Sequence, residues 1–308
     1  MVPQAAQTDI RRALFGRLID HAALFPPASM SVPDAAAEDR RARESPYAWM
    51  LDRFICPASK LEALREQMPW EIAPGLSVVL DGAGGASASE WPSALAADAG
   101  RVAEAMAAGA PVEAVELRLP APRPESAALL SAHRTLRPLG VEAYFELVPG
   151  ERWRDTVPAA IGAVAGIGGR VKLRCGGESA AAFPPVELVA LVIASARQAG
   201  VAFKATAGLH HPVRHVEPGS GFPMHGFLNL LAASAFAGAG AARARELEAV
   251  LAEEDPAAFR LGEDSLAVAG LEADASEVAG AGRALFTGYG SCSWSEPVED
   301  LRRLGVLA

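Results

Sequence analysis

The 308-residue chain is 51% hydrophobic and 21% charged, the composition of a globular protein with a sizeable core. Its net charge is −9 and no basic run exceeds the pairs Arg11–Arg12, Arg40–Arg41 and Arg302–Arg303, so a nucleic-acid partner, which needs clustered Lys and Arg, is not expected. Three scattered cysteines, Cys56, Cys175 and Cys292, make no disulfide framework.

MVPQAAQTDIRRALF lacks a charged segment followed by an apolar one, so no signal peptide is expected and the chain is read as cytoplasmic. TDIRRALFGRLI, with Thr8 as N-cap, predicts a helix ahead of the first strand. Strand-like runs then recur at HAALF (21–25), RFICP (53–57), LSVVLD (76–81), AVELRL (114–119), EAYFELV (142–148), RVKLRC (170–175), VAFKATA (201–207) and ALFTGYG (284–290). Between them lie SKLEALREQM, SALAADAGRVAEAMAAG, ESAALLSAHRTLRPLG and PVELVALVIASARQAG, whose apolar residues repeat at three- and four-residue spacing, as in amphipathic helices. RPLG-VEAYF and RQAG-VAFKA place Gly at the helix end, where the left-handed residue of a helix-to-strand turn belongs.

Eight strands alternating with helices predict a parallel sheet covered on its faces, and eight such units can close into a (β/α)₈ barrel. The open doubly wound sheet is the alternative, but the first strand-to-helix turn has no G-x-G-x-x-G. Residues 1–308 are read as one barrel domain with a helical insertion at about 224–280. Its least polar stretch, 227–242, contains Asn229 and is shorter than the roughly 20 residues of a membrane span, so no membrane is expected as a partner.

Side chains alternate across a strand, so parity says where the charged ones point. Val115, Leu117 and Leu119 oppose Glu116 and Arg118; Phe145 and Leu147 oppose Tyr144, Glu146 and Val148; Val171 and Leu173 oppose Lys172 and Arg174; Phe203 and Ala205 oppose Lys204 and Thr206. In a barrel the apolar face meets the helices, and the charged face then lines the interior. The plain alternative is a layer of buried ion pairs, yet such pairs seldom offset their own desolvation. Four bases against two acids, a difference that Asp20 or Asp81 could reduce, point instead to a small anionic partner, a carboxylate or phosphate, with Arg118 and Arg174 as its clamp and Thr206 beside them. Two like charges on adjacent strands would each lower the other's pKa, so Lys172 or Lys204 could be a neutral amine able to form a Schiff base. Lys204 shows no carboxylate partner on a neighbouring strand and is expected to reach the ligand. Glu146 or Glu116 would move protons.

V-K-L-R on the sixth strand with F-K-A-T-A-G on the seventh resembles deoxyribose-phosphate aldolase and related class I aldolases. The resemblance implies a barrel lyase in which Lys172 is the Schiff-base lysine and Lys204 its helper, although L-R-C-G-G stands where that family has T-S-T-G. FKATAGLHHP and YGSCSWSEPVEDL also resemble stretches of uncharacterised bacterial proteins.

His210, His211, His215 and His225 follow the seventh strand, in a spacing that matches no zinc motif. His210 or His211 is a candidate acid/base or substrate-binding group; His215 reads as a surface residue, and His21 as structural. No cofactor is expected. The alternative is a divalent metal held by His210 or His211, His225 and Glu146 or Glu116, in a hydrolase or isomerase. GYGSCSWSEP leads into a helix with Ser295 as N-cap, and its Gly290, Ser291 and Ser293 are candidate anion-binding groups at the helix start; a simple cap is the alternative. The cysteines read as buried filling. The expectation is therefore a lyase- or isomerase-type enzyme for a small anionic carbonyl compound. A barrel that binds such a molecule without catalysis is a further alternative, and self-association is left open.

Overall fold

A computed structural model describes residues 10–120, 126–177 and 179–307. Thr8 and Glu125, at the starts of two expected helices, lie outside them.

Eight parallel strands close into a barrel: β1 (Ile19–His21), β2 (Leu51–Pro57), β3 (Leu76–Val79), β4 (Val112–Arg118), β5 (Glu142–Glu146), β6 (Arg170–Arg174), β7 (Phe203–Thr206) and the last strand of the chain, β13 (Phe286–Ser291), between β7 and β1. Helices Val32–Arg43, Leu61–Gln67, Trp91–Ala107, Ser126–Leu136, Trp153–Gly166 and Val186–Ala199 fall between successive strands. The predicted (β/α)₈ barrel is the observed fold. Gly140 and Gly200 carry left-handed φ values of 68° and 64° directly before β5 and β7, so each helix turns into its strand where a side chain would be strained.

The first strand differs from expectation. It covers 19–21 and not 21–25, because the chain turns after His21, with Phe25 N–H donating to Ala22 O. Asp20 thereby becomes a central strand residue.

Between β7 and β13 the insertion is mixed and not helical throughout. It contains a hairpin of β8 (His215–Val216) and β9 (Pro223–Met224), helices Phe227–Ala239 and Ala244–Ala252, and an antiparallel sheet of β10 (Arg260–Leu261), β11 (Ser265–Val268) and β12 (Leu271–Asp274). Helix Phe227–Ala239 is apolar all round because it is buried all round, with Phe227 stacked on Tyr289 at 5.2 Å. Asn229 fits there because its amide is satisfied: Arg214 N–H donates to its Oδ1 at 2.9 Å, and its Nδ2 donates to the Val250 and Glu253 carbonyls. Among the described residues, Ala180–Ala199 is the one stretch long and apolar enough to cross a membrane; its helix contacts helices Trp153–Gly166 and Ala244–Ala252.

Candidate active site

Charged side chains of strands that are not neighbours in the sheet touch one another. Glu116 on β4 meets Lys172 on β6 across β5, and Lys204 on β7 meets Asp20 on β1 across β13. Side chains of non-neighbouring strands meet inside a barrel, so these four point inward. The alternate residues Val115, Leu117, Val171, Leu173, Phe203 and Ala205, all at most 1% exposed, therefore lie under the helices.

Inside, five charges form a ladder. Lys204 Nζ donates to Asp20 and, at 2.6 Å, to Glu116 Oε1; Lys172 Nζ pairs with Glu116 Oε2 at 2.8 Å and Glu146 Oε2 at 3.1 Å. Ser77 Oγ donates to Glu116 Oε1 at 2.6 Å, and Lys204 lies 5.4 Å from the centre of the Tyr144 ring. Register explains the long reach of Lys204. Its neighbour on β13 is Gly288, with Gly290 beside Asp20, so no side chain separates the ammonium from β1.

Two expectations fail here. Lys204 has no carboxylate partner on β6 or β13, as expected, but it pairs beyond them with Glu116 on β4 and Asp20 on β1, and it does not line the cavity described below. Neither lysine is a depressed, neutral amine. Burial opposes their charge, but Asp20 and Glu116 hold Lys204 above the usual lysine range, and Glu116 and Glu146 hold Lys172 above it. Glu116 is likewise buried, yet the two ammonium groups keep its carboxyl far below the carboxylate range. It is thus a fixed counter-ion and not a proton carrier. Of the 28 lysine and arginine residues in the chain, three are lysines, and two of those stand in this ladder. A compact ammonium with three rotatable donors fits between carboxylates on different strands where a planar guanidinium does not.

At the C-terminal mouth the ladder opens into a cavity of about 260 Å³, a size for a small metabolite. Lys172, Glu116, Glu146, Arg118, Arg174 and Thr206 line it, with Gly290, Ala207, His210, Cys292 and apolar groups completing the wall. Barrel active sites form at this end. A second hollow of about 530 Å³ shares Arg118, Glu146 and Arg174 with the first, so both guanidinium groups stand between the two. Both arginines are exposed, at the mouth and not on the outer wall, and neither has a carboxylate partner among the described residues. Arg174 Nε donates to Gly176 O at 3.0 Å, which aims the side chain. Three ladder carboxylates against two ammonium and two unpaired guanidinium groups leave the site with a smaller positive excess than the sequence suggested. Asp20 makes the difference. Asp81 instead accepts from Ser59 outside the ladder.

His210 and His211 do diverge. His210 Nδ1 lies 2.8 Å from Glu296 Oε2 and its Nε2 lies 3.8 Å from Cys292 Sγ. The hydrogen bond with Cys292 pushes the imidazole up to about 9 against the cost of burial, and Glu296 adds to the effect. His211 turns away to Asp300, one helical turn after Glu296, and is not among the cavity residues. Cys292 is buried, as expected, yet it also lines the cavity against a carboxylate-held imidazole. That trio was not legible because 82 residues separate His210 from Cys292; the sequence signal was a Cys directly after the last strand. Cys56 and Cys175 are indeed buried, and burial pushes both thiols up to about 12.

The expected anion corner is only partly there. Gly290 lines the cavity, whereas Ser291 Oγ donates to Ser293 O at 2.5 Å and Ser293 Oγ accepts from Glu296 N–H at 3.3 Å. Ser295 is the first residue of helix Ser295–Arg303 and not its N-cap, a position that Trp294 holds. The metal set of the alternative reading is not assembled. His225 is fully buried, its Nε2 bonded to Pro184 O at 2.7 Å, and burial pushes it down to about 4. Glu116 is occupied by the lysines.

No family model matches the chain, and no curated protein matches it. Solved structures do: one, described provisionally as a dihydrodipicolinate synthetase from Pseudomonas aeruginosa, is 18% identical over 72% of this chain and 68% of its own, with a TM-score of 0.32. A likeness at that level says nothing of chemistry, and the barrel rests on its own strand order.

Proposed function

We propose that the protein is an enzyme of the lyase or isomerase type that acts on a small anionic carbonyl compound. One observation carries this reading: two unpaired arginines, a buried lysine and a carboxylate converge on one small cavity at the barrel mouth. Arg118 and Arg174 take the carboxylate or phosphate of the substrate. Lys172, held charged, donates to the carbonyl oxygen and stabilises the enolate that forms when Glu146 removes a proton from the adjacent carbon. His210, oriented by Glu296, is placed to move a second proton.

The resemblance to class I aldolases favours a second route through the same atom. Lys172 would pass a proton to Glu146, 3.1 Å away, and the freed amine would add to the carbonyl carbon with loss of water to give an iminium. The two carboxylates that keep Lys172 charged favour the first route.

The test is proton–deuterium exchange followed by NMR, with pyruvate and dihydroxyacetone phosphate as probes in D₂O. Exchange next to the carbonyl is expected for an anionic probe, and is expected to vanish in Lys172→Met and Glu146→Gln. If neither probe exchanges or binds, the reading fails. Borohydride added with the same probe is expected to leave Lys172 unmodified; a trapped adduct there moves the mechanism to the iminium route.

A further inference from the structure

Outside the barrel cavity, His211, His215 and Glu217 each bring one potential ligand atom to within 4.8 Å of the other two. His211 precedes the β8–β9 hairpin, His215 is in β8, and Glu217 follows it, held by Glu217 N–H to Phe222 O at 3.0 Å and Gly221 N–H to Glu217 O at 2.7 Å. We propose that these three side chains bind one divalent transition-metal ion of the zinc type, through the two imidazole Nε2 atoms and the Glu217 carboxylate.

The hydrogen bonds decide which nitrogens are free. His211 Nδ1 lies 2.5 Å from Asp300 Oδ2, and His215 Nδ1 lies 3.1 Å from the Val213 carbonyl oxygen. Both partners can only accept, so both Nδ1 atoms carry the proton and both Nε2 atoms offer a lone pair. A carboxylate and a backbone carbonyl behind the rings are the usual supports that orient metal-bound histidines. The rings meet edge to face, 4.7 Å between centres.

The plain alternative is a polar surface hairpin with no ligand, and one atom argues against it. His215 Nε2 is out of contact with solvent and has no hydrogen-bond partner among the described residues; Glu217 Oε2, at 3.7 Å, is too far to serve. A buried acceptor left without a partner is unfavourable, and a metal ion supplies the missing partner. Bonds of about 2.0–2.2 Å require the three ligand atoms to draw closer by an ångström or so, a movement that half-exposed side chains allow. Two nitrogens and one oxygen select zinc, cobalt or nickel over calcium and magnesium. The cluster faces an open hollow of about 470 Å³, which leaves room for water at the remaining coordination position. Bound there, the ion would tie the hairpin to helix Ser295–Arg303 through Asp300, next to the turn that carries His210.

The experiment uses the full chain, stripped with a chelator and dialysed. Titration with Co²⁺, followed by its visible absorption, and with Zn²⁺, followed by calorimetry, is expected to give one ion per chain. His215→Gln and Glu217→Gln should each weaken binding by about 100-fold or more, and Asp300→Asn by roughly 10- to 100-fold. Absence of stoichiometric binding by the unmodified chain overturns the proposal, as does binding that survives unchanged in His215→Gln. If that variant does not fold, Glu217→Gln decides alone, because its partly exposed side chain can be changed without disturbing the core.

Discussion

Lys172 and Lys204 are register partners on neighbouring strands, yet they meet through a third residue: each binds a different oxygen of Glu116. One carboxylate between two ammonium groups turns an expected repulsion into a shared attraction, and it gives the lysines different work. Lys172 reaches the cavity and Lys204 does not.

Lys204→Met is therefore expected to damage the fold and not the chemistry alone, the reverse of what parity suggested. It strips Asp20 of its ammonium partner and leaves Glu116 with one. Breaking such a buried pair costs about 3–5 kcal/mol, measurable by urea denaturation. Adding Asp20→Asn and Glu116→Gln should recover most of the loss. A single Lys204→Met variant as stable as the parent would overturn the structural assignment.

For the mouth arginines, Arg118→Met and Arg174→Met should each raise KM for the anionic substrate by about 10-fold, equivalent to about 1.4 kcal/mol. Stability should hardly change, because neither guanidinium is in an ion pair among the described residues. Steady-state kinetics beside thermal melts check both halves; a loss confined to kcat would mean that the arginines do not bind the anion.

Cys292 should be the thiol that reacts. Burial disfavours the thiolates of Cys56 and Cys175, whereas Cys292 opens on the cavity beside His210. Brief iodoacetamide treatment of the native protein, read by peptide mass spectrometry, should modify Cys292 first. Faster labelling at Cys56 or Cys175 would contradict this placement.

The pH dependence of stability should carry the mark of His225. Its folded value of about 4 lies below the ordinary 6.5, so between those values the unfolded chain binds more protons. The contribution is complete above pH 6.5 and is lost as the pH falls through 4, about 3 kcal/mol in all. Denaturant midpoints from pH 7 to 4 should fall more steeply for the parent than for His225→Gln, which does not titrate. Parallel curves would count against it.

Alternation and spacing foretold the barrel, the glycine turns at 140 and 200, and the inward parity of Lys172, Glu116 and Glu146. These follow from neighbours in the chain. The pairings do not. Which carboxylate meets Lys204 depends on how far the strands are staggered when the ring closes, and 184 residues separate it from Asp20. The first strand begins two residues and ends four residues earlier than its sequence suggests, because three residues are too few for a period to show. For the same reason of distance, the grip of Glu296 and Asp300 on two adjacent histidines could not be read from either segment.

The charged ladder also acts as a code for alignment. Parallel strands of Val, Ile and Leu could slide past one another at little cost, since one aliphatic side chain replaces another. In this barrel a slip of one residue would turn Lys172 or Lys204 outward beneath a helix and leave Glu116 facing nothing of opposite sign. Because the last rung joins β7 to β1 across β13, the code is complete only when the ring is shut. Partly assembled sheets and shifted alignments are thus penalised together, and one closed arrangement satisfies all five charges.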